Sequence, residues 1–271
     1  MVVPMMLSVT TDMFNYTLGL DMQEKMKLFK AFEFDYIHWC DNWNDEVLYN
    51  HDQIQEYAGL LADSGLVCLD VHGTATADIS IDALDQRKHK EYIKLLENRI
   101  QFAYAVGGDS LVVHPPKYHA PNYEKRLVQS HKVIKAVEDL CIDKSLRLAF
   151  ENCSRDDHII LRDYFDNYPP EFVGFCYDSG HANFNKNLDE VMKFGDRLLV
   201  THLHDNKGKN DDHQYPGWGN VDWKKVVKWL RGTRYRKPWN LEVTHSSELF
   251  TGSMSEYMET VCTSSQATLS H

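Results

Sequence analysis

The chain has no CxxC pair, no apolar run approaching the ~18 residues of a membrane span, and no basic leader. Each absence excludes something. Cys40, Cys68, Cys141, Cys153, Cys176 and Cys262 lie far apart, several of them inside apolar runs. That spacing fits neither a disulfide framework nor a zinc ribbon, and it reads as small buried hydrophobes in a reducing cytoplasm. The opening "MVVPMMLSVTTD" reads as a first strand rather than a signal peptide. Positive charge is scarce too: 29 Lys and Arg stand against 40 Asp and Glu, a net charge of -11. A field of that sign repels polyanions at long range and argues against nucleic acid as the partner. No linker, low-complexity stretch or repeat interrupts the 271 residues. One domain, 1–271, is therefore expected, with 263–271 a frayed tail. The sequence leaves homo-oligomerisation open.

What is present is an alternation. The β-rich runs "MLSVT", "FDYIHWC", "LVCLDVHG", "SLVVHPP", "LRLAFENC", "VGFCYDSGH", "LLVTHLHDN" and "WNLEV" are separated by segments such as "DQRKHKEYIKLLENRIQFAYAVG" with apolar residues at helical spacing. Helix terminators stand where they should, at Gly65, at Gly107 with Gly108, and at "NYPPEF". "ELFTGSMSEYMETVC" supplies a last helix. Strand-then-helix units with short connections and near-continuous apolar strands predict the α/β class, as a single (β/α)8 TIM barrel with its sheet buried on both faces.

The working residues of such a barrel sit at the C-terminal ends of its strands. Here those ends carry His72, His114, Glu151, Asp178 with His181, His202 and Glu242, and the connection after the seventh strand, "HLHDNKGKNDDHQYPGWGN", adds Asp211 and His213. Taken alone, each has a plain explanation as a packing histidine or a solvated acid. Converging on one barrel mouth, they are costly, because close carboxylates repel and raise one another's pKa. A divalent cation removes that penalty. Mixed His, Asp and Glu donors without Cys suit zinc, manganese, cobalt or magnesium and do not choose among them.

These residues resemble the xylose isomerase-like TIM-barrel superfamily, which includes sugar-phosphate isomerases and epimerases and endonuclease IV. "LAFENC" resembles the strand-five glutamate (Glu151), and "CYDSGHANF" the D-x-x-H segment (Asp178, His181). "THLHDNKG" resembles the strand-seven histidine motif, with His202 as the ligand and His204 as its rival, and "LEV" the last glutamate, Glu242. "DDHQYPGWGN" is similar to the segment that in endonuclease IV carries two ligands of a third zinc, here Asp211 and His213, and "DVHG" and "VVHP" resemble its two further histidines, His72 and His114. The opening departs from the nuclease pattern, with "TTDMFNY" in place of a glycine-rich start after strand one.

The resemblance implies two mechanisms. An isomerase or epimerase of a sugar, sugar phosphate or related polyol needs one essential cation on Glu151, Asp178, His202 and Glu242, with Glu151 and Glu242 as the proton-transfer pair. His181, Lys117, His204 and Trp218 are then candidates for holding substrate, and Trp39, Trp43, Phe184 and Tyr215 fit stacking near the mouth. A phosphodiesterase acting on abasic DNA uses all nine ligands, His72, His114, Glu151, Asp178, His181, His202, Asp211, His213 and Glu242, and up to three cations. Its DNA platform is missing: "KGK" and "RGTRYRK" are the basic clusters, and the second follows a helix toward the opposite barrel face. A non-catalytic binding barrel is the third class, and retention of both carboxylates argues against it. The isomerase reading is therefore expected, with a small sugar as partner.

Overall fold

β-Branched and leucine-rich runs bounded by turn residues become strands, and here they are too apolar to face water on either side. The computed structural model describes residues 6–15, 17–76 and 79–270. In chain order the elements are β1 (Leu7–Thr10), α1 (Met22–Ala31), β2 (Tyr36–Trp39), α2 (His51–Ser64), β3 (Val67–His72), α3 (Gln86–Ala105), β4 (Ser110–Val113) and α4 (Tyr123–Asp143). The second half continues with β5 (Arg147–Glu151), α5 (Asp157–Asn167), β6 (Val173–Asp178), α6 (Ser179–Asn185), α7 (Leu188–Val191), β7 (Leu198–Leu203), α8 (Trp223–Gly232), β8 (Trp239–Leu241) and α9 (Met254–Leu269). The strands close in sequence order into a parallel barrel, β1 pairing with both β2 and β8. Residues 1–5, the start of the expected first-strand stretch, lie outside the described residues.

β4, β6 and β7 are buried at every position. Two register shifts interrupt the ladder, between Ile37 and His38 opposite β3 and between Phe175 and Cys176 opposite β7. Irregularities of this kind re-aim side chains near active sites, and both lie one or two residues below the polar end of the barrel. Asp21 with Glu24 and Asn50 with Gln53 form capping boxes that start α1 and α2. α5 stops before the Pro169–Pro170 pair, as expected.

The tail departs from expectation. Residues 263–269 are not frayed but complete α9, which a Ser253–Glu256 capping box starts and whose Ser265 and Leu269 are fully buried. Ser264 and Thr268 hydroxyls donate to the Pro216 carbonyl at 2.7 and 3.3 Å, so the polar spelling of "TSSQATL" reflects contacts with the β7–α8 connection. All six cysteines are free thiols. No helix among the described residues is long and apolar enough to cross a membrane.

Candidate metal centre

Strand alternation carries one side chain in every two into the barrel, and the inward set at the C-terminal end is polar almost throughout. Glu151, at the end of β5 and 1% exposed, is its hub. Its Oε2 lies 3.0 Å from His114 Nε2 and 3.6 Å from His72 Nε2; its Oε1 lies 3.2 Å from His202 Nδ1 and 3.3 Å from His181 Nδ1. His202 Nδ1 also lies 3.1 Å from Glu242 Oε2, so carboxylates from β5 and from the end of β8 meet on one imidazole nitrogen. Asp178 caps α6, accepting the His181 backbone N–H at 2.6 Å, and its other oxygen lies 3.0 Å from His204 Nε2. His202 and His204 therefore both point inward, two residues apart, and the rivalry between them resolves into two different places.

The β7–α8 connection folds back over this end because Asp205 anchors it. The buried Asp205 carboxylate accepts from the backbone N–H groups of Asn206, Gly217 and Val221 and from Trp223 Nε1. Gly219 passes so close that a Cβ there would stand 2.2 Å from the Asn206 carbonyl oxygen, which only glycine permits. The returning segment holds His213 at φ +45°, with its Nδ1 on the Glu242 carbonyl at 3.1 Å and its Nε2 3.2 Å from Asp211 Oδ2. His181 Nε2 approaches the same Asp211 oxygen at 3.0 Å.

Two tautomers test whether a cation suits this cluster. His72 Nδ1–H donates to the Gly73 carbonyl at 2.7 Å, and His213 Nδ1–H donates to that of Glu242. In each ring Nε2 is left with a lone pair, and in each that lone pair faces a carboxylate oxygen, of Glu151 and of Asp211. Two lone pairs facing one another repel unless a proton or a cation lies between them. Glu151 Oε2 and His181 Nδ1, both buried, have no partner of hydrogen-bonding geometry. The donor set, dominated by imidazole N and carboxylate O with the Cys40 and Cys176 thiols beside it, fits a divalent ion.

The electrostatics agree. Burial raises the Glu151 carboxyl, but the imidazoles of His202, His114 and His181 outweigh it and hold it well below the usual range. Glu242 is likewise lowered against its burial, chiefly by His202. Burial disfavours charge on His213, yet Asp211 and Glu242 raise it to about 10. Asp12 goes the other way, raised by burial and by the Glu242 charge.

A cavity of about 460 Å³ opens over the cluster, lined by Trp43, Lys117 and Phe184 together with His72, His114, Glu151, His181, Asp211, His213 and Glu242. All nine expected ligands are thus gathered, and Lys117 stands at the rim, exposed. Two expected substrate contacts are not there. Trp218 does not line this cavity; it lies under Lys207, whose Nζ is 4.2 Å from its ring centroid. His204 is fully buried behind His213, the two rings stacked 3.9 Å apart at 6°, and lies out of a substrate's reach. Trp39 belongs to the core, packed on Tyr57 and Phe102, and Tyr215 packs against Tyr257.

Sequence reasoning missed His38 with Asp70, and Asp12. His38 Nδ1 bonds Asp70 Oδ1 in the barrel interior, and its unpartnered Nε2 lies 3.8 Å from Glu242 Oε1. The signal was available: His38 nears the end of β2 and Asp12 follows β1, as the other site residues follow their strands.

A family model described as Xylose isomerase-like TIM barrel matches residues 26–260. The uncharacterized protein y4fM of Sinorhizobium fredii is 28% identical over 250 residues, covering 82% of this chain and 80% of its own. The probable endonuclease 4 of Mycoplasma mycoides is 26% identical over 179 residues, covering 58% and 61%. Among solved structures, 3-keto-D-glucoside 4-epimerase YcjR from E. coli superposes with a TM-score of 0.75 at 17% identity over 95% of this chain and 98% of its own. The IOLI protein with a binding zinc atom does so with a TM-score of 0.76 at 17% identity over 98% of both.

Proposed function

Because the chain belongs to the xylose isomerase-like TIM-barrel family, we propose that it is a divalent-metal-dependent isomerase or epimerase of a sugar, sugar phosphate or related polyol. The observation that carries this reading is the approach of Glu151 and Glu242 to one nitrogen of His202, at 3.2 and 3.1 Å, beneath a cavity of about 460 Å³. A monosaccharide fits such a volume. The epimerase and zinc-bound neighbours accord with the same chemistry.

Glu151, Asp178, His202 and Glu242 would hold the essential cation, which when bound polarises the substrate carbonyl and offsets charge developing on its oxygen. One carboxylate of the Glu151–Glu242 pair, ionised, takes the proton from the carbon next to that carbonyl, and the other, carrying a proton, returns one. The surrounding imidazoles favour the ionised form of the member that acts as base. His181, lining the cavity, is placed to hold a substrate hydroxyl. Trp43 and Phe184 cover the apolar edge of a sugar ring and limit water.

A specific observation favours a second reading. His72, His114, His181, Asp211 and His213 add more donors around Glu151 and Asp178 than one cation needs, and the Mycoplasma match points the same way. Phosphodiester cleavage with up to three cations would use them all. The test separates the two. Metal per chain is measured on purified protein, then deuterium uptake from D2O is followed on a panel of ketoses beside nicking of abasic-site DNA. Cation-dependent exchange next to a ketose carbonyl without nicking is the expected result. Tightly held zinc at three per chain with strand cleavage would replace this reading by the second.

A further inference from the structure

A second cavity, also of about 460 Å³, abuts the first, and His114 and Lys117 line both. It lies between the β3–α3 and β4–α4 connections, with Thr74, Ser80, Asp82 and Arg126 in its wall. The wall is preorganised. Asp82 has both oxygens engaged, accepting from the Ser80 hydroxyl at 2.5 Å and from Arg126 Nη1 at 3.1 Å, and Arg126 Nε donates to the Pro121 carbonyl at 3.0 Å. Two features are left over. Lys117 makes no ion pair among the described residues, and of the charged side chains among the described residues that line this wall, Lys117 and Arg126 stand against Asp82 alone. Thr74 is 3% exposed, and its hydroxyl has no hydrogen-bond partner among the described residues. A buried hydroxyl without a partner is costly and calls for a ligand atom.

We infer that this cavity is the subsite for a terminal anionic group, a phosphate or carboxylate at the end of the sugar remote from the reacting carbonyl. The inference rests on the proposed function for the first cavity. Lys117, on the shared wall, supplies the unpaired charge; Arg126, fixed by Asp82, supplies directed N–H donors; Thr74 supplies a buried hydroxyl donor. Asp82 is spoken for by Ser80 and Arg126 and presents no free carboxylate to repel the anion. A neutral monosaccharide would leave these groups unused.

The test compares D-fructose, D-fructose 6-phosphate and D-fructuronate as ligands of the metal-loaded protein by calorimetry. The anionic ketoses should bind about tenfold tighter than D-fructose, the range expected of one or two charge-assisted hydrogen bonds. A preference for the 6-phosphate alone assigns a phosphate, and for D-fructuronate alone a carboxylate. The ratio should fall below about threefold in Lys117→Ala and drop in Thr74→Val. Neither variant touches the Arg126–Asp82 pair that ties α4 to the β3–α3 connection. Equal affinity for all three ketoses, or a ratio unchanged in Lys117→Ala, overturns the inference. A Lys117-dependent ratio without carbonyl-adjacent exchange on any ketose keeps the subsite and removes the isomerase reading; exchange without any anionic preference does the reverse.

Discussion

At the scale of single residues, Glu151 and Glu242 carry the most chemistry in the least space. Each touches His202, and each is proposed both to hold the cation and to move a proton. Glu151→Gln and Glu242→Gln keep shape but lose the base, so deuterium exchange on the substrate should fall by about 10²–10⁴-fold in each. Metal content measured on the same samples separates lost binding from lost proton transfer; unchanged exchange in both variants would dismiss the pair. His213 allows a second prediction. Burial opposes its charge, but Asp211 and Glu242 lift it to about 10, so the cation-free ring is protonated at neutral pH. A cation must displace that proton, and its affinity should therefore climb with pH through neutrality and level off near 10. Calorimetry in two buffers of different ionisation enthalpy reads the released proton as a difference in heat. The linkage has the matching sign: a folded pKa above the unfolded one stabilises the cation-free protein fully below about 6.5, and that contribution disappears as pH rises through about 10.

Elements matter because they force these residues together at no freedom of spacing. α6 begins on Asp178, and its second residue, Gly180, lies flat against His204, where an added Cβ would stand 1.9 Å from the ring. Gly180→Ala should therefore destabilise the fold by about 1–3 kcal/mol or more, as overpacking does. Pairing it with His204→Ala, which removes the obstructing ring, should recover part of the loss; thermal melts of the single and double variants measure the coupling. No coupling between them would mean that the ring does not set the spacing. α9 makes the complementary point. Its last turns read as a polar tail, yet Leu269 is fully buried and Ser264 and Thr268 bind the Pro216 carbonyl under the loop that carries Asp211 and His213. Leu269→Ala should cost about 2–5 kcal/mol in denaturant unfolding, as a core truncation does and a frayed end does not.

For the whole molecule, the cost of the site is electrostatic. Asp12, Glu151, Asp178 and Glu242 are all buried at one end of a barrel that already carries a net charge of -11. Stripping the cation with a chelator should lower the melting temperature by several degrees, and zinc or manganese should restore it, since a ligand at about 1,000 times its Kd stabilises by about 4 kcal/mol. A melting curve indifferent to chelation would contradict a resident cation. At this scale much was legible beforehand. The alternation of apolar runs and helical segments specified the barrel, and the strand ends named the polar side chains that converge, because strand geometry puts alternate residues inside and parallel closure puts all C-terminal ends on one rim. Residues whose partners are remote in sequence were not legible. His38 reads as one more strand histidine until β3 brings Asp70 against it, and Trp218 reads as a mouth aromatic until the fold sets it under Lys207 instead.

Sequence alone determined the barrel and the polar side chains that its rim gathers, since periodicity and residue type are local properties. Tertiary structure decided which of two neighbouring histidines faces Glu151 and which Asp178, that the last segment is helix, and that a second polar cavity adjoins the first. Those depend on how loops distant in the chain settle against one another, and hydrophobic periodicity carries no record of that.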